Sequence, residues 1–505
     1  MAIAPAGTLC YTLLGVGTAT GPVLLAMAPA AACGWHGTKA WKEQMKRNLA
    51  AGIGLLLAVA TLLALVPKAH QSRVLASPSA QHTIYLPLVV RTHRPVQPTF
   101  GVRMQEVSDA FGLPEAVQAG VHTVSAVTFS WKQIEPVDLT PAQYDFGYVD
   151  EDSLLSAAAN GLELIGTIHH TPDWAQALPG YSCGPILPDK LDDFAEFLQA
   201  LVSRYSVEPY NVRHWAIWNE PDIDWRDVAP TSRIGCWGDK NLPDFGGSAY
   251  GQMLQVAYPA IKAASPHARV IAGNLLLNDP VSLSSKFAEG ILQGGGGPFL
   301  DVLAFHGYSY YGNSLGKMGN LNWSDSVTTA IPEKVSFLRS VLDAYGLRSK
   351  PIMTTEASML IVSNNPTPDA LETQAMYMPR VYAEGLSLGL EGVVYYSMTD
   401  DWTGRNNGLL KPDLAAKPSY HAYKTAASYL SQAYYAAPAS GYPQGIEGHA
   451  FALPTGQDLD VIWCDDGTYR TVTLPAGALA YDRYGAGLGG GAVQVGYSPV
   501  YVVKP

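Results

Sequence analysis

Two glutamates stand where a carboxyl group can serve as acid, base or nucleophile. Residues 211–222 read NVRHWAIWNEPD, and positions 212–218 form a β-branched and aromatic run with the character of a strand. Pro221 has no amide hydrogen for a ladder bond, so that strand is expected to stop at Asn219 and Glu220, leaving both side chains at its C-terminal end. A second apolar run, Pro351-Ile352-Met353-Thr354-Thr355-Glu356, delivers Glu356 in the same way. An isolated Glu-Pro pair is most often a surface turn, because most glutamates are exposed. Two carboxyl groups in one cleft can do more: one protonates the leaving oxygen of an acetal while the other attacks or stabilises the anomeric carbon.

The elements that must bring these residues together alternate along the chain. From Thr99 onward strands alternate with amphipathic helices for eight cycles, the strands beginning near Phe100, His122, Leu162, Val212, Arg269, Leu300, Pro351 and Gly392. Helical stretches fall between them at 108–119, 148–160, 188–206, 248–264, 282–292, 331–345, 368–388 and 419–433. Eight βα units predict an α/β fold, a (β/α)8 TIM barrel over residues 99–435, whose C-terminal strand ends converge on one pocket. Glu220 and Glu356 then end strands four and seven, on opposite sides of the barrel mouth. On strand six the two-residue period puts His306 and Tyr308 on one face. Beyond about residue 437 the helical period gives way to short alternating runs at 459–463, 469–474 and 493–495, so residues 436–505 are expected to form a small antiparallel β-sandwich.

Residues 1–76 read as a leader. Met45-Lys46-Arg47 followed by the apolar run 49–66 has the pattern of a signal peptide, with Val74-Leu75-Ala76 as its cleavage site, which suggests a translation start at Met45. If residues 1–44 are translated, the two apolar stretches suit a membrane hairpin or anchor. Both readings put the rest of the chain outside the cytoplasm, secreted or membrane-attached, behind a Pro/Ser/Thr-rich linker at 77–98.

Composition narrows the function classes. The 505 residues carry a formal charge of −11 with no Lys/Arg run, which leaves nucleic acid no electrostatic footprint. Hydrophobic residues at 48% and charged ones at 15% supply a large core. None of the five cysteines has metal-binding C-x₂₋₄-C spacing and there is no HExxH, so neither a metal nor another cofactor is expected. Cys183 and Cys236 fall in the loops after strands three and four, which are neighbours in a barrel. They can form a disulfide in an oxidising compartment or remain two free thiols.

Trp218-Asn219-Glu220-Pro221 on strand four, with Thr355-Glu356 on strand seven, resembles the clan A retaining glycoside hydrolases, and residues 99–435 are similar in layout to families 39 and 5. Trp131-Lys132-Gln133-Ile134-Glu135-Pro136 after strand two, and His169-His170-Thr171-Pro172-Asp173-Trp174-Ala175 after strand three, are similar to the corresponding loops of those families. The resemblance implies Glu220 as acid/base, Glu356 as nucleophile, Asn219 as donor to the sugar 2-hydroxyl, and Tyr308, with His306 beside it, as a hydrogen-bond donor to the nucleophile. It also implies Trp402 stacking under the sugar and Arg103 steadying the nucleophile. His169, Trp131 and Trp174 are candidate sugar contacts, with strand-end capping and rim packing as the alternatives; His169 and His170 lack a third ligand for a metal. The expected function is therefore a retaining glycosidase acting on a β-linked poly- or oligosaccharide, with carbohydrate as its partner. A non-catalytic carbohydrate-binding barrel and a cell-surface structural protein are the competing readings.

Overall fold

The structure is a computed structural model that describes residues 99–277, 283–311, 318–319, 330–363, 365–400 and 405–505. The leader and linker expected over residues 1–98, and Trp402, lie outside the described residues. Eight strands, β1 (Thr99–Arg103), β2 (Thr123–Ser130), β3 (Glu163–His169), β4 (His214–Ile217), β5 (Arg269–Leu275), β6 (Val302–Tyr311), β7 (Ile352–Leu360) and β8 (Gly392–Tyr396), pair in parallel in the order β5-β4-β3-β2-β1-β8-β7-β6. A parallel β5–β6 pairing closes the ring, giving the (β/α)8 barrel that the eightfold alternation predicts.

Each strand is followed by helix. The longer helices include Leu191–Tyr205, Gly247–Ala264, Ile331–Ala344, Pro368–Ser387 and Pro418–Leu430. Their starts follow local chemistry: Thr367 accepts the Ala370 amide as an N-cap, and Pro stands in the first turn where no amide is needed. Among the described residues no helix is long and apolar enough to cross a membrane.

A small cluster of Ile165, Ala216, Ile271, Val302, Ala304, Met353 and Val394 packs strand side chains from β3 to β8 against one another. The much larger core lies between strands and helices. Along β3 the two-residue period carries the same face upward from Ile165 through Thr167 to His169, all three lining the cavity described below.

Regular pairing is interrupted near the C-terminal end of β5 and midway along β7, which runs four residues past Glu356 to Leu360 and does not end at Glu356 as expected. One extra residue enters β5 between Ala272 and Leu275, and one enters β7 between Thr354 and Glu356. Such bulges re-aim the side chains that follow. Strand β4 also ends earlier than the position of Pro221 suggests. It stops at Ile217 because Trp218 turns into the left-handed region at φ 64°, while its amide still donates to the Ile168 carbonyl at 2.9 Å. Glu220 is likewise left-handed, at φ 48°. Positive φ is uncommon for residues with a Cβ, so surrounding contacts must hold this turn in place.

Residues from Tyr434 onward form a six-stranded antiparallel sheet and a two-stranded one, with a shared core that includes Ile462, Val472, Val493 and Val502. They dock on the last two long helices: Tyr429 stacks on Tyr501 with centroids 4.7 Å apart, and the Tyr484 hydroxyl donates to Glu372 at 2.6 Å. Arg380, fully buried in helix Pro368–Ser387, pairs with Asp465 and lies over the rings of Trp463 and Tyr497.

Candidate active site

The C-terminal strand ends open into a cavity of about 720 Å³. Glu220, in the turn after β4, and Glu356, on β7, both line it, and both side chains are mostly covered by protein. His306 of β6 stands between them. Its Nδ1 is 2.7 Å from Glu220 Oε1 and 3.6 Å from Glu356 Oε2. Two residues further along β6, the Tyr308 hydroxyl donates to Glu356 Oε2. A carboxylate oxygen of each glutamate and a ring nitrogen of His306 lie within 4.8 Å of one another.

Burial alone would lower the pKa of His306, but the charges of Glu356 and Glu220 and the hydrogen bond to Glu220 outweigh it and raise the value. The Tyr308 hydroxyl is pushed far above its ordinary range by burial, with both glutamates adding to the effect, so it remains a donor. Glu220, His306 and Glu356 are also three groups whose donor atoms could meet on one cation. As they stand, Glu220 is aimed at His306 and Glu356 accepts from Tyr308.

The turn that carries Glu220 is held from several sides. Asn274, in the β5 bulge at φ 45°, accepts the Glu220 amide on its backbone carbonyl at 3.1 Å and donates its side-chain Nδ2 to the Trp218 carbonyl at 2.8 Å. The hydroxyl of Thr355, the extra residue of β7, donates to Asn274 Oδ1 at 2.9 Å. The two bulges are thus tied together beside both glutamates.

Asp222 accepts the amides of Leu276 and Leu277 at 2.8 Å each. Burial raises its pKa to about 6, against those amides and with the help of Glu220. Lys334, buried in helix Ile331–Ala344, donates to the carbonyls of Leu276 at 2.7 Å and His306 at 2.8 Å, and burial lowers its pKa to about 8.

Cys183 and Cys236 are bonded, with Cα atoms 5.2 Å apart. The Cys183 carbonyl accepts the Trp218 indole N–H at 2.9 Å, and Gly235 packs so tightly on Asn219 and Pro221 that a Cβ there would come within 2.7 Å of the Pro221 Cα. The bonded loops therefore buttress the strand-four turn.

Asn219, Arg103, His169, His306 and Tyr308 all line the cavity with the two glutamates. Arg103 gives its guanidinium to the carbonyls of Ser125 at 2.8 Å and Ala126 at 3.0 Å, and Glu356 is close enough for its charge to act on it. His169 is buried and neither ring nitrogen has a partner among the described residues; burial, and then neighbouring His170, holds its pKa well below the usual imidazole range.

Trp131 and Trp174 do not line the cavity. Trp131 is fully buried against Phe194 and Phe197, its N–H donating to the buried Glu135 carboxyl at 2.7 Å. Trp174 packs edge-on to Trp131 and donates to the Glu135 carbonyl at 3.2 Å. A short helix, Trp131–Ile134, begins directly at the end of β2 and turns the indole into the wall. Trp402 lies outside the described residues; the aromatic ring that β8 itself brings to the cavity is Tyr396, edge-on to Tyr308.

Sequence reasoning quoted Thr355 only as the neighbour of Glu356, without a role, and missed Asn274, Tyr396, Arg233 and Arg405. Gly273-Asn274 did carry a usable signal, since both residue types favour left-handed backbone and so hint at a bulge.

No protein-family model matches the chain, and no curated protein matches it. Solved structures do. A family 39 glycoside hydrolase from the gut symbiont Bacteroides cellulosilyticus WH2 matches at TM-score 0.61 and 18% identity, covering 81% of this chain and 82% of that one. The likeness is one of fold. The catalytic domain of GH30 xylanase C from Talaromyces cellulolyticus matches at TM-score 0.54 and 15% identity over 82% of this chain and 98% of that one. A monomeric β-xylosidase from Caulobacter crescentus CB15 matches at TM-score 0.50 and 16% identity over 82% and 96%. Identities this low leave the chemistry to be argued from the residues in the cavity.

Proposed function

We propose that this protein is a retaining glycosidase that hydrolyses β-linked poly- or oligosaccharides outside the cytoplasm. The observation that carries the reading is the pair Glu220 and Glu356 in one cavity, with carboxylate oxygens within 4.8 Å. Carboxyl groups about 5 to 5.5 Å apart suit direct attack by one of them, whereas an inverting enzyme keeps about 6.5 to 9.5 Å between them to admit a water. The solved structures of similar fold include proteins described as a glycoside hydrolase, a xylanase and a β-xylosidase, which agrees with this reading at the level of fold.

In the first step a Glu356 carboxylate oxygen attacks the anomeric carbon. The bond from that carbon to the bridging oxygen breaks, and the bridging oxygen takes the proton held by Glu220. In the second step Glu220 removes a proton from water, whose oxygen displaces Glu356 and restores both groups. Tyr308 holds the attacking carboxylate by one oxygen, and His306 Nδ1, 2.7 Å from Glu220 Oε1, orients the other carboxyl. Asn219, lining the cavity next to Glu220, is the donor for the sugar 2-hydroxyl. His169, whose ring nitrogens have no partner among the described residues, is a second polar contact for the sugar. The Cys183–Cys236 disulfide agrees with export into an oxidising compartment.

A panel of aryl β-glycosides tests the proposal. Glu356→Gln should lose about 10⁴-fold or more in kcat on every substrate the parent cleaves. Glu220→Gln should lose most on poor leaving groups, because an activated aryl group departs without the proton. Parent-like turnover in Glu356→Gln would sink the assignment.

A further inference from the structure

Among the described residues three guanidinium groups, those of Arg213, Arg233 and Arg405, have neither a hydrogen bond nor an ion pair, although the chain as a whole carries a charge of −11. Two of these three, Arg233 and Arg405, line the cavity. Among the described residues the acidic side chains lining it are Glu220 and Glu356, already engaged by His306 and Tyr308, and neither forms an ion pair with Arg233 or Arg405. Arg233 also stands close enough to Arg103 and His170 for its charge to act on both. Unpaired cations gathered at one mouth are the arrangement that a bound anion relieves, and a planar guanidinium suits a carboxylate or sulfate through paired N–H donors.

The two arginines differ in distance from the glutamates. Arg233 belongs to the loop that folds back on Asn219 through Gly235, two residues further on. Arg405 bridges to Val362, beyond Leu360, and Leu360 is four strand residues past Glu356, or roughly 13 Å at about 3.3 Å per residue. Leu360 and Val362 both line the cavity, which therefore extends outward from the catalytic level towards Arg405. An anion held there sits on a sugar unit flanking the one being cut.

We infer that the cavity mouth recognises a negatively charged substituent of the glycan, a uronate carboxylate or a sulfate ester, through Arg233 and Arg405. The inference rests on the glycosidase reading only for where the chain is then cut.

The full-length Glu356→Gln protein is titrated calorimetrically with three ligands: a glucuronate-bearing β-linked oligosaccharide, the same compound after carboxyl reduction, and a sulfated β-linked oligosaccharide of equal length. At least one anionic ligand should bind about tenfold or more tightly than the reduced one, and added salt should erode that preference. Which anion wins separates carboxylate from sulfate. Adding Arg233→Gln or Arg405→Gln should cost about tenfold on the preferred anion, whereas Arg213→Gln, outside the cavity, should change nothing.

Equal binding of charged and reduced ligands, no binding of either anion, or no effect of both cavity substitutions would overturn the inference. Anion-selective binding by a parent protein that hydrolyses nothing would count against the glycosidase reading and leave the anion site standing. Cleavage of charged and neutral chains at equal kcat/KM would do the reverse.

Discussion

His306 is the side chain through which the two carboxyl groups of the cavity act on each other. It lies 2.7 Å from one and 3.6 Å from the other, and 1% of its side chain is exposed. Its pKa is raised when folded because the carboxylates Glu356 and Glu220 overcome the opposing effect of burial. A raised folded value means that the folded protein holds the proton more tightly than the unfolded chain does. The stabilisation is therefore complete below the ordinary imidazole value of about 6.5 and is lost as pH rises through the folded value. Replacing His306 with Gln should cost about 3 kcal/mol of unfolding free energy at pH 5.5 and clearly less at pH 9, read from urea titrations of both proteins. An equal deficit at the two pH values would contradict the charged pairing. At this scale the sequence was informative where a strand period constrained the answer, as for His306 and Tyr308, which line the cavity together. It was uninformative for Trp131, because whether an indole faces the cavity or the wall depended on a helix turn starting at Ser130, not on the residue's own type.

Strand four ends in an irregular turn, strands five and seven carry bulges, and these irregularities interlock. The left-handed turn at Trp218 and Glu220 is closed by Asn274 from the β5 bulge, and Asn274 is closed in turn by Thr355 from the β7 bulge. Asn274→Ala should leave the Trp218 carbonyl and the Thr355 hydroxyl without these partners in a buried place, at a cost of roughly 2 to 3 kcal/mol. The larger effect should fall on kcat, with KM nearly unchanged, because the turn that aims Glu220 loses its tie while the rest of the cavity wall remains. Unchanged kcat in a folded Asn274→Ala protein would remove Asn274 from the positioning role. The alternation of strands and helices was legible because it follows from apolar periodicity. Bulges were not, because one extra residue leaves the hydrophobic pattern almost intact and reveals itself only in pairing across to a strand distant in sequence. The same limit explains why β4 was expected to run to Asn219 and instead stops at Ile217.

For the molecule as a whole, the barrel and the C-terminal sheets share buried charge as well as apolar surface. Arg380 has 0% side-chain exposure and finds its acidic partner, Asp465, in the C-terminal sheets. A chain ending at residue 435 would leave that guanidinium unpaired and uncover the face of Tyr429 that stacks on Tyr501. Removing the C-terminal residues uncovers the apolar surface that they bury on these helices, about 1.5 to 3 kcal/mol for each large side chain exposed, a large part of the stability of an ordinary domain. The shortened chain should therefore aggregate or lose cooperative thermal unfolding, as light scattering and calorimetry would reveal, whereas a soluble, cooperatively melting product would contradict this dependence. The most direct test of the two-glutamate mechanism is the configuration of the first sugar released. Proton NMR begun at once after mixing parent protein with the best aryl β-glycoside should show the β-anomer first, with the α-anomer appearing only by mutarotation. Initial release of the α-anomer would contradict attack by Glu356 and the double displacement built on it.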